Sequence, residues 1–249
     1  MSTDKTASRP EKIRSELCES KPEELASAIT HGLGVLMSIA ALVLMVIVSG
    51  SDPWKITSGA IFGTTLILLY LSSTLYHTMS SPRTKSFFQI LDHAAIYLLI
   101  AGSYTPITLV TLRGAWGWSL FGIVWAMAIA GVMIKAFMKN NREHWVSTAL
   151  YLVMGWMAVF VLGPLIKALP TPGLVMLVAG GLCYTFGVIF FVWAKLRFNH
   201  SLWHLFVLAG STLHALMMIF NVLKQLALGT LLLLSNQQIP EPNFIIVIL

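Results

Sequence analysis

Charged residues are scarce in this sequence: Asp, Glu, Lys and Arg make up 10% of its 249 residues, against roughly 25% in an ordinary soluble domain. Hydrophobic residues make up 57%, and the mean hydropathy is +0.79. These values exclude a soluble globular enzyme, a disordered protein and a nucleic-acid-binding protein. They are typical of a polytopic membrane protein, so we expect membrane lipids as its partners and neither nucleic acid nor a soluble protein.

Cysteine is also scarce, because the chain contains only Cys18 and Cys183. Cys18 lies in a charged N-terminal stretch and Cys183 in an apolar run, so we expect two free thiols and no disulfide framework. The first apolar run is long and lacks a small-residue cleavage site. We therefore expect it to be a permanent membrane span and not a secretory signal.

Acidic residues are nearly absent from the apolar runs. Six of the ten precede residue 25, and only Asp92 falls inside a long apolar run. A carboxylate in the bilayer costs roughly 2.5 kcal/mol or more on insertion scales. Asp92 is therefore a candidate functional residue, and the alternative is an ion pair with Arg83 or Lys85 at the membrane interface.

Seven apolar runs are long enough to cross a bilayer, since a span needs about 20 mostly apolar residues. They cover approximately residues 31–50, 57–80, 87–111, 115–134, 145–166, 173–194 and 202–223. The connecting loops are short, so neighbouring helices should pack antiparallel. The sequence predicts an all-α, seven-transmembrane helix bundle over residues 25–224. A charged cytoplasmic segment, 1–24, precedes it, and an apolar tail of unknown placement and role, 225–249, follows it.

The distribution of basic residues predicts the orientation. Twelve of the sixteen Lys and Arg residues precede the first span or lie in the loops that follow spans two, four and six. Cytoplasmic loops carry an excess of basic residues. We therefore expect a cytoplasmic N-terminus, an external C-terminus and a plasma-membrane location.

Three predicted spans carry imidazole or carboxyl groups at one level of the membrane. His77 ends the second span, Asp92 lies about two turns into the third, and His200 and His204 open the seventh. The predicted topology places all four groups near the cytoplasmic side. His200 and His204 are four residues apart and project from one helix face, as when a helix supplies two imidazoles to a metal ion. With His77 they make three nitrogen ligands, which in a catalytic zinc site leave one position for water.

The predicted cofactor is therefore one zinc ion with a bound water. Zinc lowers the pKa of bound water to about 7, and Asp92 is the predicted group that orients this water and accepts its proton. Ser73 lies four residues before His77 on the same helix face and is the second predicted catalytic residue. Imidazole suits several metals, so metal identity stays open. Headgroup-binding histidines and a hydroxyl that only packs between helices are the structural alternatives.

The remaining histidines are weaker candidates. His214 is predicted to pack or to form a hydrogen bond, His93 to support the structure and His144 to lie in a solvated loop. His31 lies seven residues after Glu24 and therefore on a similar helix face, so this pair is a weaker candidate for capping the pocket.

The motifs Ser73-x3-His77, Asp92 and His200-x3-His204, spread over spans two, three and seven, resemble the haemolysin III family. This family is the bacterial branch of the progestin and adipoQ receptor superfamily. Residues 23–32, 91–94 and 102–106 are similar to further signatures of the family. The resemblance covers about residues 22–224, and the tail after Lys224 departs from it.

The resemblance implies a zinc ion held by three histidines that match His77, His200 and His204, with Asp92 matching the acid that contacts the zinc-bound water. The superfamily includes ceramidases, so the implied chemistry is hydrolysis of a lipid amide. Bacterial members are linked to membrane-lipid or fluidity homeostasis, which implies the bacterial inner membrane, and some were named for a haemolytic effect. Whether catalysis occurs, on which substrate and in which oligomeric state stays open. The alternatives are a non-catalytic zinc-containing sensor or receptor and a pore-forming cytolysin.

Overall fold

The computed structural model of the chain describes residues 20–137, 143–193 and 195–224. The predicted tail 225–249, Cys18 and most of the predicted N-terminal segment lie outside the described residues. The side chain of His144 lies outside them as well. Cys183 is a free cysteine, as predicted.

The described part of the chain contains seven helices that are long and apolar enough to cross a membrane, which confirms the predicted all-α architecture. They are α1 (Lys21–Val48), α2 (Pro53–Thr78), α3 (Pro82–Thr111), α4 (Ala115–Phe137), α5 (Val146–Ala168), α6 (Thr171–Val192) and α7 (Asn199–Leu223).

The helix starts follow from local sequence signals. Ser20 precedes α1 and forms a capping box with Glu23. The carboxylate of Asp52 accepts hydrogen bonds from the backbone nitrogens of Trp54 (2.9 Å) and Lys55 (3.3 Å) at the start of α2. Both arrangements satisfy backbone N–H groups that have no partner within the helix.

Helix α1 begins earlier than the predicted span 31–50. Its first turns carry Glu23 and Glu24, which a hydropathy count rejects as membrane residues. Ser27 and His31 in the following turns are buried, with exposed fractions of 0% and 2%. The polar side of this segment faces protein instead of lipid, so the helix extends beyond its apolar part.

Helix α3 changes type at Pro106. It is α-helical over Pro82–Pro106 and π-helical over Ile107–Thr111. Proline has no N–H to donate to the preceding turn, so it disturbs the regular α-helical ladder. The end of α7 is also π-helical, over Met218–Leu223.

Helices α1, α2, α3 and α4 pack against one another in sequence, α6 packs along α7, and α7 packs against α1 to close the bundle. Helix α5 is interrupted by a 3-10 segment, Met157–Val161. A cavity of about 290 Å³ is lined mainly by residues of α3, α5, α6 and α7. Its wall includes several of the predicted site residues.

The contact between α3 and α4 predicts how two glycines of α4 respond to substitution. A Cβ atom at Gly131 would lie 2.4 Å from Cε1 of Tyr97, a fully buried ring, whereas one at Gly122 would meet no atom within 4 Å. We expect Gly131→Ala to destabilise the protein by about 1–3 kcal/mol through overpacking. Gly122→Ala, the matched control, should leave stability unchanged or slightly raised. Thermal unfolding in detergent measures both, and equal melting temperatures for the two variants would contradict this packing.

Candidate functional site

The three predicted metal ligands meet at one end of the bundle. His77 lies in the last turn of α2, and His200 and His204 lie in the first turns of α7. One nitrogen of each imidazole lies within 4.8 Å of the other two. The ring centroids are 5.1 Å apart for His77 and His200, 5.1 Å for His77 and His204, and 4.5 Å for His200 and His204.

The nitrogens of this cluster fit a metal ion chemically. Nε2 of His77 is buried and has no hydrogen-bond partner among the described groups. A buried polar atom without a partner costs about 1–3 kcal/mol. A bound cation would satisfy this atom. Nitrogen ligands of one tetrahedral zinc lie roughly 3.3 Å apart, and these three nitrogens lie within 4.8 Å of one another.

Asp92 lies outside the set of mutually close ligand atoms. It is 5% exposed, and it lines the same cavity as His200 and His204. Ser73 is completely buried and interacts with the Asp92 carboxyl group, although its hydroxyl does not meet ordinary hydrogen-bond geometry. The two predicted catalytic residues therefore lie next to each other.

The structural alternative for Asp92 was an ion pair with Arg83 or Lys85. Lys85 does form an ion pair, but with a different acid. Lys85 donates a hydrogen bond from Nζ to Oε1 of Glu24, at 2.8 Å. Among the described residues, no salt bridge involves Asp92. Glu24 was considered only as a partner of His31, and the structure pairs it with other residues.

Glu24 contacts the candidate metal centre directly. Its Oε2 lies 2.8 Å from Nδ1 of His77. This contact joins α1 to α2, and sequence reasoning missed it. The available signal was a pair of adjacent acids, Glu23 and Glu24, immediately before an apolar run.

His31 reaches the cluster by stacking. Its ring lies 3.5 Å from that of His204, centroid to centroid, with an angle of 10° between the planes. Its ring also makes an edge-to-face contact with that of Tyr70, with the centroids 4.9 Å apart. His31 therefore forms part of the pocket wall, as the capping hypothesis required, but it does so without pairing with Glu24.

Helix α1 also holds the start of α7. Nδ1 of His204 lies 3.3 Å from the backbone oxygen of Ser27, and the hydroxyls of Ser27 and Ser201 lie 2.9 Å apart. The carboxylate of Glu23 accepts a hydrogen bond from the backbone nitrogen of Phe198, at 2.9 Å. Phe198 has a φ of 57°, a left-handed conformation that is uncommon for a residue other than glycine.

The cavity extends from this cluster into the apolar part of the bundle. Its wall includes Asp92, His200 and His204, and its remaining lining is largely aliphatic and aromatic. Val178 of α6 and Leu162 of α5 also line it, and their exposed fractions of 49% and 45% place them on the outer surface of the bundle. The cavity thus reaches the lipid-facing side between α5 and α6.

The weaker histidine candidates behave as hydrogen-bonding or structural residues. Nε2 of His214 lies 3.1 Å from the backbone oxygen of Leu177, which confirms the predicted hydrogen-bonding role. The backbone oxygen of His93 accepts a hydrogen bond from the hydroxyl of Tyr151, at 2.9 Å. Both histidines also line the cavity.

The donor set predicts how metal content depends on two histidines of α7. We expect protein purified without chelator to carry about one divalent ion per chain, and His204→Ala to lose it because one of three ligands is gone. His214→Gln, on the same helix, should retain the ion. Elemental analysis distinguishes these outcomes, and equal metal content in all three proteins would contradict the assignment of ligands.

Comparison with known proteins identifies the family. Residues 19–215 match the family described as Haemolysin-III related. The chain is 45% identical to Hemolysin-3 of Bacillus cereus, over 81% of this chain and 92% of that protein, and 45% identical to the Hemolysin-3 homolog of Bacillus subtilis, over 81% and 95%. It is 30% identical to the human Monocyte to macrophage differentiation factor, over 77% of this chain and 81% of that protein. The motif resemblance is thereby confirmed, and this multi-pass membrane protein belongs to the haemolysin III family.

Proposed function

We propose that the protein is a zinc-dependent hydrolase that cleaves lipid amides and so contributes to membrane-lipid or fluidity homeostasis. The observation that carries this proposal is the convergence of three imidazoles, two of which line a largely apolar cavity. His77, His200 and His204 would hold the ion. When bound there, zinc would act as a Lewis acid towards the amide carbonyl and make water a better nucleophile near neutral pH.

Asp92 is the proposed general base. It lines the cavity next to His200 and His204, so it faces the space in which a scissile bond would lie. Its carboxylate would orient the attacking water, accept its proton and return it to the leaving amine. Ser73 is absent from the cavity wall and interacts with Asp92. Its hydroxyl would orient the carboxylate.

The cavity supports a lipid as substrate. Its largely apolar lining suits an alkyl chain, while Asp92, His200 and His204 add polar groups to its wall. A lipid amide likewise combines an apolar tail with a polar head. Entry between α5 and α6, where Val178 and Leu162 reach the outer surface, would let the substrate arrive sideways from the bilayer.

The ligand set favours a hydrolase over a non-catalytic sensor with a structural ion. A structural zinc site is normally closed by four protein ligands, whereas a catalytic one keeps a position open. Among the described residues, the group of mutually close ligand atoms contains three histidines and no fourth side chain. This count supports the open arrangement.

We further propose that the site lies on the cytoplasmic side of a bacterial inner membrane. Twelve of sixteen basic residues belong to the segments on the side where α1 begins, and Glu24, His77 and His200 lie at that same end. The positive-inside rule assigns this side to the cytoplasm.

Substitution of Asp92, the proposed base, tests its role in catalysis separately from metal binding. We expect wild-type protein in lipid nanodiscs to release fatty acid from N-acyl lipids. Asp92→Asn should retain the ion and lower turnover by about 10²–10⁴-fold, the range of general-base contributions. Mass spectrometry of the released acid, with metal content measured on the same samples, is the test. Undiminished turnover in Asp92→Asn would refute the proposed base, and wild-type protein with full metal content and no turnover on any amide would favour the sensor.

If substrate enters between α5 and α6, a larger side chain in this entrance should weaken substrate binding. Gly181 of α6 lines the cavity, and a Cβ atom there would have open space around it. We expect Gly181→Leu to fill part of the entrance and raise KM at least several-fold for long-chain amides. Gly163→Leu on α5 is the control, since that glycine also has open space but does not line the cavity. Equal KM values for the two variants would place substrate entry elsewhere.

A further inference from the structure

We propose that Glu24, held by Lys85, is a positioning residue that sets the tautomer of His77 and thereby points Nε2 of that ring at the metal site. This inference rests on the metal centre proposed above. It assigns a function to a partly buried ion pair, Glu24 and Lys85, which neither binds the metal ion nor acts as the proposed general base.

The tautomer follows from the hydrogen bond. A carboxylate can only accept, so the 2.8 Å contact between Glu24 Oε2 and His77 Nδ1 requires a hydrogen on Nδ1. A neutral imidazole has one N–H, so the lone pair then lies on Nε2. Among the residues that the structure describes, that atom is buried without a hydrogen-bond partner. Nδ1 therefore donates to Glu24, while the lone pair of Nε2 is available to bind a metal ion.

Lys85 holds the carboxylate in place from its other oxygen. Its Nζ donates to Oε1 of Glu24, at 2.8 Å, and to the backbone oxygen of Tyr76, at 3.1 Å. Lys85 is only 2% exposed, and the ammonium group also lies 4.6 Å from the centre of the Tyr76 ring. A lysine buried to this extent is normally paired. The carboxylate is thus bound on both sides and has little freedom to rotate away from His77.

His204, another candidate ligand, also has an acceptor facing its Nδ1, but the contact is weaker. Nδ1 of His204 faces the backbone oxygen of Ser27, at 3.3 Å. This is a longer contact to a neutral acceptor. Metal-ligating histidines commonly donate their second N–H to a carboxylate or a carbonyl, and a carboxylate raises the basicity of the ring. We therefore expect His77 to depend most on its supporting residue.

The experiment measures metal affinity in the purified full-length protein by competition with a zinc chelator. We expect Glu24→Gln to weaken zinc binding by about 10–100-fold, the usual cost of losing such a partner. Lys85→Gln should weaken it less. The double variant should bind no more weakly than Glu24→Gln, because Lys85 acts through Glu24. Asp52→Asn is the control, since that carboxylate caps α2 at its other end, and it should bind as wild type.

Cobalt substitution provides a readout that a purely structural role would not change. We expect the visible absorption bands of the Co²⁺ form to shift in Glu24→Gln, because the basicity and orientation of one ligand change, and to remain as in wild type in Asp52→Asn.

Glu24→Gln with wild-type zinc affinity and an unshifted Co²⁺ spectrum would overturn the positioning role while leaving the metal centre intact, even if thermal stability falls. Wild-type protein that binds no metal would overturn both proposals.

Discussion

The arrangement of this protein depends on one constraint: a polar group within the membrane must find its partner inside the bundle, because lipid offers none. The contacts of Glu24 follow from it. This carboxylate is bound by His77 of α2 and Lys85 of α3, so three helices meet at one acid. Each unpaired charge would be expensive, and together they compensate one another. The cluster therefore fixes how α1, α2 and α3 approach at one end.

The same constraint explains why the beginning of α1 belongs to the site. The lipid-facing residues of α1 take no part in the site. The opposite side of this helix contacts the ends of α2 and α7 through Glu23, Glu24, Ser27 and His31. Two of the candidate ligands, His77 and His204, receive their second contact from this helix. Three helices therefore form the candidate centre, although only α2 and α7 supply its ligands.

The fold divides the bundle into a tightly packed part and a looser one. Close approaches such as Gly131 against Tyr97 and Gly34 against Tyr70 join consecutive helices. Helix α5, which a 3-10 segment interrupts, leaves space towards α6 and α7. The result is a largely apolar cavity whose wall also includes Asp92, His200 and His204. Such a lining suits an amphipathic lipid better than a water-soluble substrate, and that match connects the fold with the proposed chemistry.

Much of this protein is determined locally by its sequence. Hydropathy predicted the seven spans, because a helix in lipid needs about 20 apolar residues wherever it lies in a fold. The spacing of His200 and His204 predicted that they share a face, because helical geometry alone decides it. Convergence with His77 was inferred from the common depth of the helix ends. The lateral arrangement of the helices could not be inferred in this way. The partner of Glu24, the stacking of His31 on His204 and the cavity beside α5 depend on which helices are neighbours. Only the tertiary structure decided them, because side-chain packing between distant segments, and not their hydropathy, determines those contacts.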